Sequence, residues 1–580
     1  MIKNRLLFNL AISLPLSLFT LLYVSTGIAQ SKALNNQDAV IFTQFTYRGN
    51  DPVYNDNSLL PDEFYTPILQ GCYPDPSITR KGNDYYLVNS SFAMTPGVPI
   101  FHSTDMVNWK QIGHVLDRPT QLKVEDSGIS AGIYAPDIKY NPYNDTFYMI
   151  TTQFANGIGN MVVKTKDPSK GWSDAIKLDF NGIDPSLFFD DNGKAYVVHN
   201  DAPPAGKELY SGHRVIKIWE YDLATDKIVT GSDKIIVDGG TDITQKPIWI
   251  EGPHLYKKDG QYYLMCAEGG TGDWHSEVIF KSDNPKGIFK PAKNNPILTQ
   301  RYFAKDRPNK VDWAGHADLV EGPEGKYYAV FLAIRPNEKG QVNSGRETFI
   351  LPVDWSGEFP VFENGLVPIK PKLKMPAGVK NLTGQNGFVP NGNFTFTDNF
   401  KSNQLDFKWI GIRGWREKFA TITKNGLKIT SFKTNIKAAA PTSTLFYRQQ
   451  HTWFEANTTL KFKPKSENQL AGITCYQSEK YNYVFGITRK SDGYYIVLEQ
   501  TEKGLSKIIA SERILLESEV TLQVIAEGND YRFNYALKGA VYKNLGGTVL
   551  GDILSTDVAG GFTGSLIGLY TTTANDIIPN

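Results

Sequence analysis

Cysteine is scarce in this chain. Cys72, Cys266 and Cys475 are scattered over 580 residues with no CxxC spacing. That excludes a zinc or iron–sulfur centre of the usual pattern, and a disulfide framework as well. Net charge is equally scarce: 61 Lys and Arg against 60 Asp and Glu leave +1. No long-range field is therefore expected to draw nucleic acid or an anionic membrane. Beyond the N-terminal segment no run is apolar enough to cross a bilayer. Long stretches with a helical apolar period are also few.

The one long apolar run is N-terminal. Lys3 and Arg5 precede LLFNLAISLPLSLFTLLYV, which is followed by the small, polar STGIAQ. This is the pattern of a secretory signal peptide over residues 1–30, cleaved near Gln30, for a secreted or periplasmic protein. Asn9, Pro15 and several serines interrupt the run and disfavour a membrane anchor. No cysteine lies near the cleavage point, which disfavours a lipoprotein. Residues 31–60 carry the polar clusters NNQD and NDNS and read as a linker or a wrapping arm.

Aromatics are abundant: 30 Tyr, 32 Phe and 10 Trp. They suit pleated surfaces, and they also offer flat faces for stacking on sugar rings. They fall in a repeat. Five units read PDPSITRKGNDYYLV, APDIKYNPYNDTFYMI, IDPSLFFDDNGKAYVV, EGPHLYKKDGQYYLM and GHADLVEGPEGKYYAV. Each is an apolar stretch, a turn of Gly, Asn and Asp, and an apolar-aromatic stretch, which is a β-hairpin signature. The leading residues are Asp75, Asp137, Asp184, Glu251 and His316. Tyr86, Tyr148, Tyr196, Tyr263 and Tyr328 follow them at a nearly constant interval and recur along the chain at comparable spacings. Trp109, Trp172 and Phe289 mark outer hairpins of units one, two and four. A hairpin unit that recurs in this way predicts a radial β-repeat over residues 61–370, a five-bladed propeller. The five leading residues would then converge at one end of its channel. Residues 371–392 are rich in Pro, Gly and Asn and predict a linker. Short alternating segments over 393–580 predict a β-sandwich of concanavalin-like type, so the fold class is all-β.

A ring of carboxylates supports glycoside hydrolysis, which uses one protonated and one ionised carboxyl group. The repeat alone does not say which is which. The motifs PILQGCYPDPSI, PGVPIFHSTDMVNWKQIGHVLDRPTQL, GIDPSLFFDDNGKAYVV, IEGPHLY, GHADLV and GRETFILPVDW resemble glycoside hydrolase family 43, in its β-xylosidase and α-L-arabinofuranosidase branch. RQQHTWFEANTTL and VAGGFTGSLIGLY resemble that branch's C-terminal sandwich. The resemblance implies a five-bladed propeller and inversion at the anomeric carbon, with Asp75 as general base and Glu251 as general acid. It makes Asp184 the carboxylate that orients the acid and raises its pKa. Arg346 would reach the sugar, Phe92 and Tyr134 would wall the pocket, and Phe562 of the sandwich would cap it. His316 would help hold a calcium ion in the channel through water; no cofactor is required for the reaction. Asp137, in YAPDI, resembles the arabinan-directed branches; it is placed among the substrate-binding residues, with an ion ligand and a scaffold residue as the other roles left open for it.

The expected activity is exo-acting release of xylose or arabinofuranose from xylan or arabinoxylan oligosaccharides, with a β-xylosidase favoured. The alternatives are an arabinan-directed arabinofuranosidase and a non-catalytic sugar-binding propeller. A sialidase-like propeller fits less well, because its chemistry needs a tyrosine nucleophile and clustered arginines.

Overall fold

A computed structural model describes residues 38–56, 59–154, 157–376 and 379–575. The expected signal segment lies outside them. Among the described residues no helix is long and apolar enough to cross a membrane.

Five antiparallel sheets follow one another along the chain. Their first strands are Ser77–Lys81, Gly132–Asn141, Ile183–Phe189, Glu251–Lys258 and Asp312–Glu321, and each sheet runs outward in chain order from that strand. Each first strand touches the next, and the fifth touches the first, so the five close a ring. Side chains tie the ring together. Ser77 Oγ lies 3.0 Å from Asp137 Oδ1, and Leu187 N–H donates to Asp137 Oδ2 at 2.8 Å. Ser186 Oγ–H donates to the Pro253 carbonyl, and Tyr256 donates to Asp318 at 2.8 Å. Ile78 N–H donates to Asp318 at 2.9 Å, which completes the circuit. Trp109, Trp172 and Phe289 each lie just before an outer strand of their sheets and are buried.

The C-terminal region is a sandwich of two antiparallel sheets. One of its strands comes from the other end of the chain. Ala39–Gly49 lies between Gly426–Thr430 and Trp453–Lys461. Residues 31–60 read in sequence as a polar linker or arm, and this part of them is sandwich core instead. The reason is alternation: Val40, Phe42, Phe45 and Tyr47 are fully buried, and polar clusters on either side mask that pattern. The segment at 371–392 is also partly structured, with Lys372–Lys374 paired to Glu63–Tyr65.

The ring and the sandwich share one hydrophobic core. Val88, Phe92, Met94 and Ile133 pack in the same cluster as Ile410, Phe446, Tyr476, Leu566 and Tyr570. Arg335 adds a largely enclosed bridge. It donates to Glu347 at 2.7 Å, to Asp51 at 3.0 Å and to the Gln450 carbonyl at 3.1 Å.

Candidate active site

The closing tyrosines fix the register of the five units. Across each hairpin they oppose Thr79, Lys139, Phe188, Tyr256 and Val320. Four positions before each of those partners stands a left-handed residue: Asp75 (φ 51°), Ala135 (φ 23°), Asp184 (φ 53°), Gly252 (φ 54°) and His316 (φ 54°). In units two to five the ladder shifts register at that point. A bulge of this kind re-aims side chains. Here it lets two consecutive residues face one cavity, as Tyr134 and Ala135 do, and Ile183 and Asp184. Left-handed backbone is costly for residues other than glycine, and such strain tends to gather at functional sites.

This register corrects one expectation. Asp137 is aligned not with Asp75 and Asp184 but with Ser77 and Ser186, one layer deeper. It is buried and is not among the residues lining the cavity. Its carboxylate accepts from Leu187 N–H and lies 3.3 Å from Lys139 Nζ, so it braces the ring and is not a sugar ligand. Counting back a fixed distance from Tyr148 places it with the acids; the second hairpin is longer than the others, and the count stops two residues short of Ala135.

The cavity has a volume of about 720 Å³. Asp75, Asp184, Glu251, His316 and Arg346 all line it, with Phe92, Tyr134 and Phe562. Arg346 Nη1 donates to Asp75 Oδ1 at 2.6 Å. Burial alone would raise the Asp75 carboxyl, but Arg346, His316 and a hydrogen bond from Ser90 outweigh it and hold Asp75 below the usual range. Burial lowers His316 to about 4, so above that pH its imidazole is neutral and Arg346 is the lasting cation beside Asp75. Asp75 is thus ionised at neutral pH.

Glu251 and Asp184 behave in the opposite way. Burial, then the charges of Asp184 and Asp75, raises Glu251 to about 8. Burial, then Asp75, raises Asp184 to about 7. The pair shares one desolvated space, so ionising one opposes ionising the other. Glu251 is the member that keeps its proton around neutral pH. The direction matches the expectation from sequence, but burial contributes more than the neighbouring carboxylate does. Gly252 N–H donates to Asp184 Oδ2 at 3.3 Å, which ties the two acids through the backbone. A β-carbon at Gly252 would lie 2.7 Å from the His316 ring, so glycine is required beside the acid.

Aromatic rings form one wall. Phe92 stacks on Phe562 (6.4 Å, 17°) and meets Tyr134 edge-on (5.9 Å, 72°). Arg346 lies over the Phe562 ring at 5.7 Å. Phe562 belongs to the sandwich, and its loop is pinned to the ring. Its N–H donates to Ser130 Oγ at 2.9 Å, and Ser565 N–H donates to the Asn343 carbonyl at 2.7 Å. Next to Arg346, Gly345 and Gly564 meet backbone to backbone, too close for a β-carbon on either.

Several lining residues lie outside the repeat, and sequence reasoning misses them: Phe154, Asn200, Asp201, Arg214, Trp249 and Thr271. Phe154 stacks on Tyr134 at 5.1 Å and 10°. Asn200 donates to the Ile250 carbonyl at 2.5 Å and so steadies the approach to Glu251. Most of these residues sit at the ends of second strands or on loops, and no pattern along the chain marks them. Asn200 and Asp201 are the exception, since they end the stretch that closes on Tyr196.

Calcium at His316 meets a poor donor set. The nearest carboxylate, Asp75, lies 3.7 Å from its Nδ1 and is already bound to Arg346, whereas calcium takes six to eight oxygens. The acids that do gather around an imidazole are Asp137 and Asp318, with His254. Lys139 already places its ammonium there, 2.9 Å from both Asp318 oxygens.

Comparison with known proteins agrees with this geometry. Residues 64–360 match the family model "Glycosyl hydrolases family 43", and residues 397–576 match "Beta xylosidase C-terminal Concanavalin A-like domain". A xylosidase/arabinosidase of Butyrivibrio fibrisolvens is 38% identical over 518 residues, covering 87% of this chain and 95% of its own. A non-reducing end alpha-L-arabinofuranosidase of Bacteroides ovatus is 32% identical over 523 residues, covering 88% and 92%. Among solved structures, a GH43_12 protein retrieved from a capybara gut metagenome is 60% identical with a TM-score of 0.88, covering 92% of this chain and 99% of that one.

Proposed function

The chain belongs to glycosyl hydrolases family 43, and from that premise we propose that it releases terminal xylose or arabinofuranose from hemicellulose oligosaccharides, with β-xylosides favoured. One observation carries the reading. An ionised carboxylate held by an arginine (Asp75) and a carboxyl that keeps its proton near neutral pH (Glu251) line the same capped cavity.

Each residue has a role in an inverting displacement. Asp75 accepts a proton from water as the water oxygen bonds to the anomeric carbon. Glu251 gives its proton to the bridging oxygen as the bond from that oxygen to the anomeric carbon breaks. Asp184 holds the acid's strand through Gly252 N–H and keeps its proton in place by charge. Arg346 fixes Asp75 and presents its remaining donors to the sugar, and Phe92, Tyr134 and Phe562 enclose the ring. The Phe562 cap favours chain ends over internal bonds. The five sheets are the blades of a five-bladed propeller, a reading supported by the contact of the fifth first strand with the first. Export with cleavage near Gln30 is supported by Lys3, Arg5 and the apolar run after them.

A second reading, α-L-arabinofuranosidase, is favoured by the name of the Bacteroides ovatus relative. Incubation with 4-nitrophenyl β-xyloside, 4-nitrophenyl α-L-arabinofuranoside, xylobiose and arabinoxylan oligosaccharides decides between them. Release of xylose first supports the leading reading, and release of arabinose alone supports the second. Release from none would sink both. NMR of the first-formed anomer is expected to show inversion; retention contradicts the mechanism.

A further inference from the structure

Arg214 is a cation in the catalytic cavity that the mechanism above leaves without a task. It follows a tight turn, and the chain on both sides of it is pinned. Its carbonyl accepts from Gly239 N–H at 3.0 Å, and the adjacent His213 lies 2.8 Å from Asp238. Its guanidinium carbon sits 3.8 Å from the centre of the Trp249 ring, a close cation–π stack. Trp249 is itself held in left-handed backbone (φ 52°), and its N–H donates to the Gly212 carbonyl at 3.0 Å. Among the described residues nothing accepts a hydrogen bond or forms an ion pair with the Arg214 guanidinium. The other charges lining the cavity are accounted for: Asp201 is bridged to Lys217 at 2.7 Å, Asp75 is paired with Arg346, and Asp184 and Glu251 act together in the reaction.

Position then gives direction. Trp249 stands just before Glu251 and leads into the same strand. Arg214 joins Arg346 in acting on the charge of Glu251, while the named charges acting on Asp75 include Arg346 but not Arg214. Glu251 protonates the bridging oxygen, so the leaving sugar lies on its side of the bond, opposite the water that Asp75 activates. An arginine held flat on an aromatic face keeps its fork of donors ordered, which suits two neighbouring oxygens of a ring.

Resting on the proposed activity, we propose that Arg214, held flat on Trp249, recognises the leaving group by donating hydrogen bonds to oxygens of the sugar attached at the scissile bond. It is a specificity residue and takes no part in proton transfer.

The test compares two leaving groups on one pentose: xylobiose, which fills that side with a sugar, and β-xylosyl fluoride, which leaves it empty. The arabinofuranosyl pair replaces them if arabinose is the pentose released. Arg214→Ala is expected to lower kcat/KM on the disaccharide about ten- to a hundredfold. The fluoride should change less than about threefold, and Trp249→Ala should follow the same pattern. Arg214→Lys, which keeps the charge but not the fork, should recover only part of the loss. Equal losses on both substrates would show a merely structural role and overturn the inference, as would no loss on either. If the unaltered enzyme cleaves no pentoside, the proposed function itself fails. If it cleaves them and the variants discriminate as it does, only this inference fails.

Discussion

The catalytic division of labour is set at single side chains by the opposite shifts of Asp75 and Glu251. Arg346 holds Asp75 ionised below the usual carboxylate range, while burial with two nearby carboxylates raises Glu251 to about 8. Activity requires Asp75 deprotonated and Glu251 protonated, so kcat/KM should rise as Asp75 ionises in acid and fall as pH passes about 8. Asp184→Asn removes a negative neighbour, which makes ionising Glu251 easier. The alkaline limb should therefore move to lower pH. Since burial is the larger cause, the limb should stay above the ordinary glutamate value of about 4.3. A pH–rate profile checks this, and an unmoved limb would contradict the assigned coupling. Glu251→Gln should lower turnover of xylobiose by about 100- to 10,000-fold. A 2,4-dinitrophenyl glycoside, whose leaving group needs no proton, should lose far less. The three acids can be found in the sequence because each sits in a distinctive motif. Arg214 and Trp249 cannot, since their pairing depends on two loops that approach only after folding.

At the level of elements, the left-handed residue in or just before each first strand decides what reaches the cavity. Prolines follow it in YPDPS, YAPDI, IDPS and EGPH. Aligning those prolines puts Asp137 level with Ser77 and Ser186. Counting from the tyrosines fails because the hairpins differ in length, which spacing alone cannot detect. The hairpin repeat itself was legible, since turn residues and alternation are local properties. The Ala39–Gly49 strand was not, since its partners lie far downstream, at Gly426–Thr430 and Trp453–Lys461. Its burial makes a firm prediction. Phe42 is fully enclosed in the sandwich core, so Phe42→Ala should cost about 3–5 kcal/mol. Urea denaturation should show a lower midpoint with the slope unchanged. A loss of less than about 1 kcal/mol would mean that the strand is peripheral to the core.

Across the whole molecule, the sandwich is part of the catalytic unit and not an appendage. It supplies Phe562 to the cavity, and its residues Phe446, Leu566 and Tyr570 share a core cluster with Phe92 of the aromatic wall and with Ile133. The N-terminal strand crosses into it before the chain enters the first sheet, so chain connectivity also binds the two halves. Interfaces between independent domains are usually more polar and permit relative motion. A shared apolar core with the largely enclosed Arg335 bridging both sides does not. Unfolding should therefore be a single calorimetric transition despite the length of the chain, and activity should be lost within it. Leu566→Ala, fully buried between the halves, should lower that one transition by several degrees without splitting it. Two resolved transitions, with pentosidase activity surviving the first, would show that the ring works without its cap and that Phe562 is dispensable.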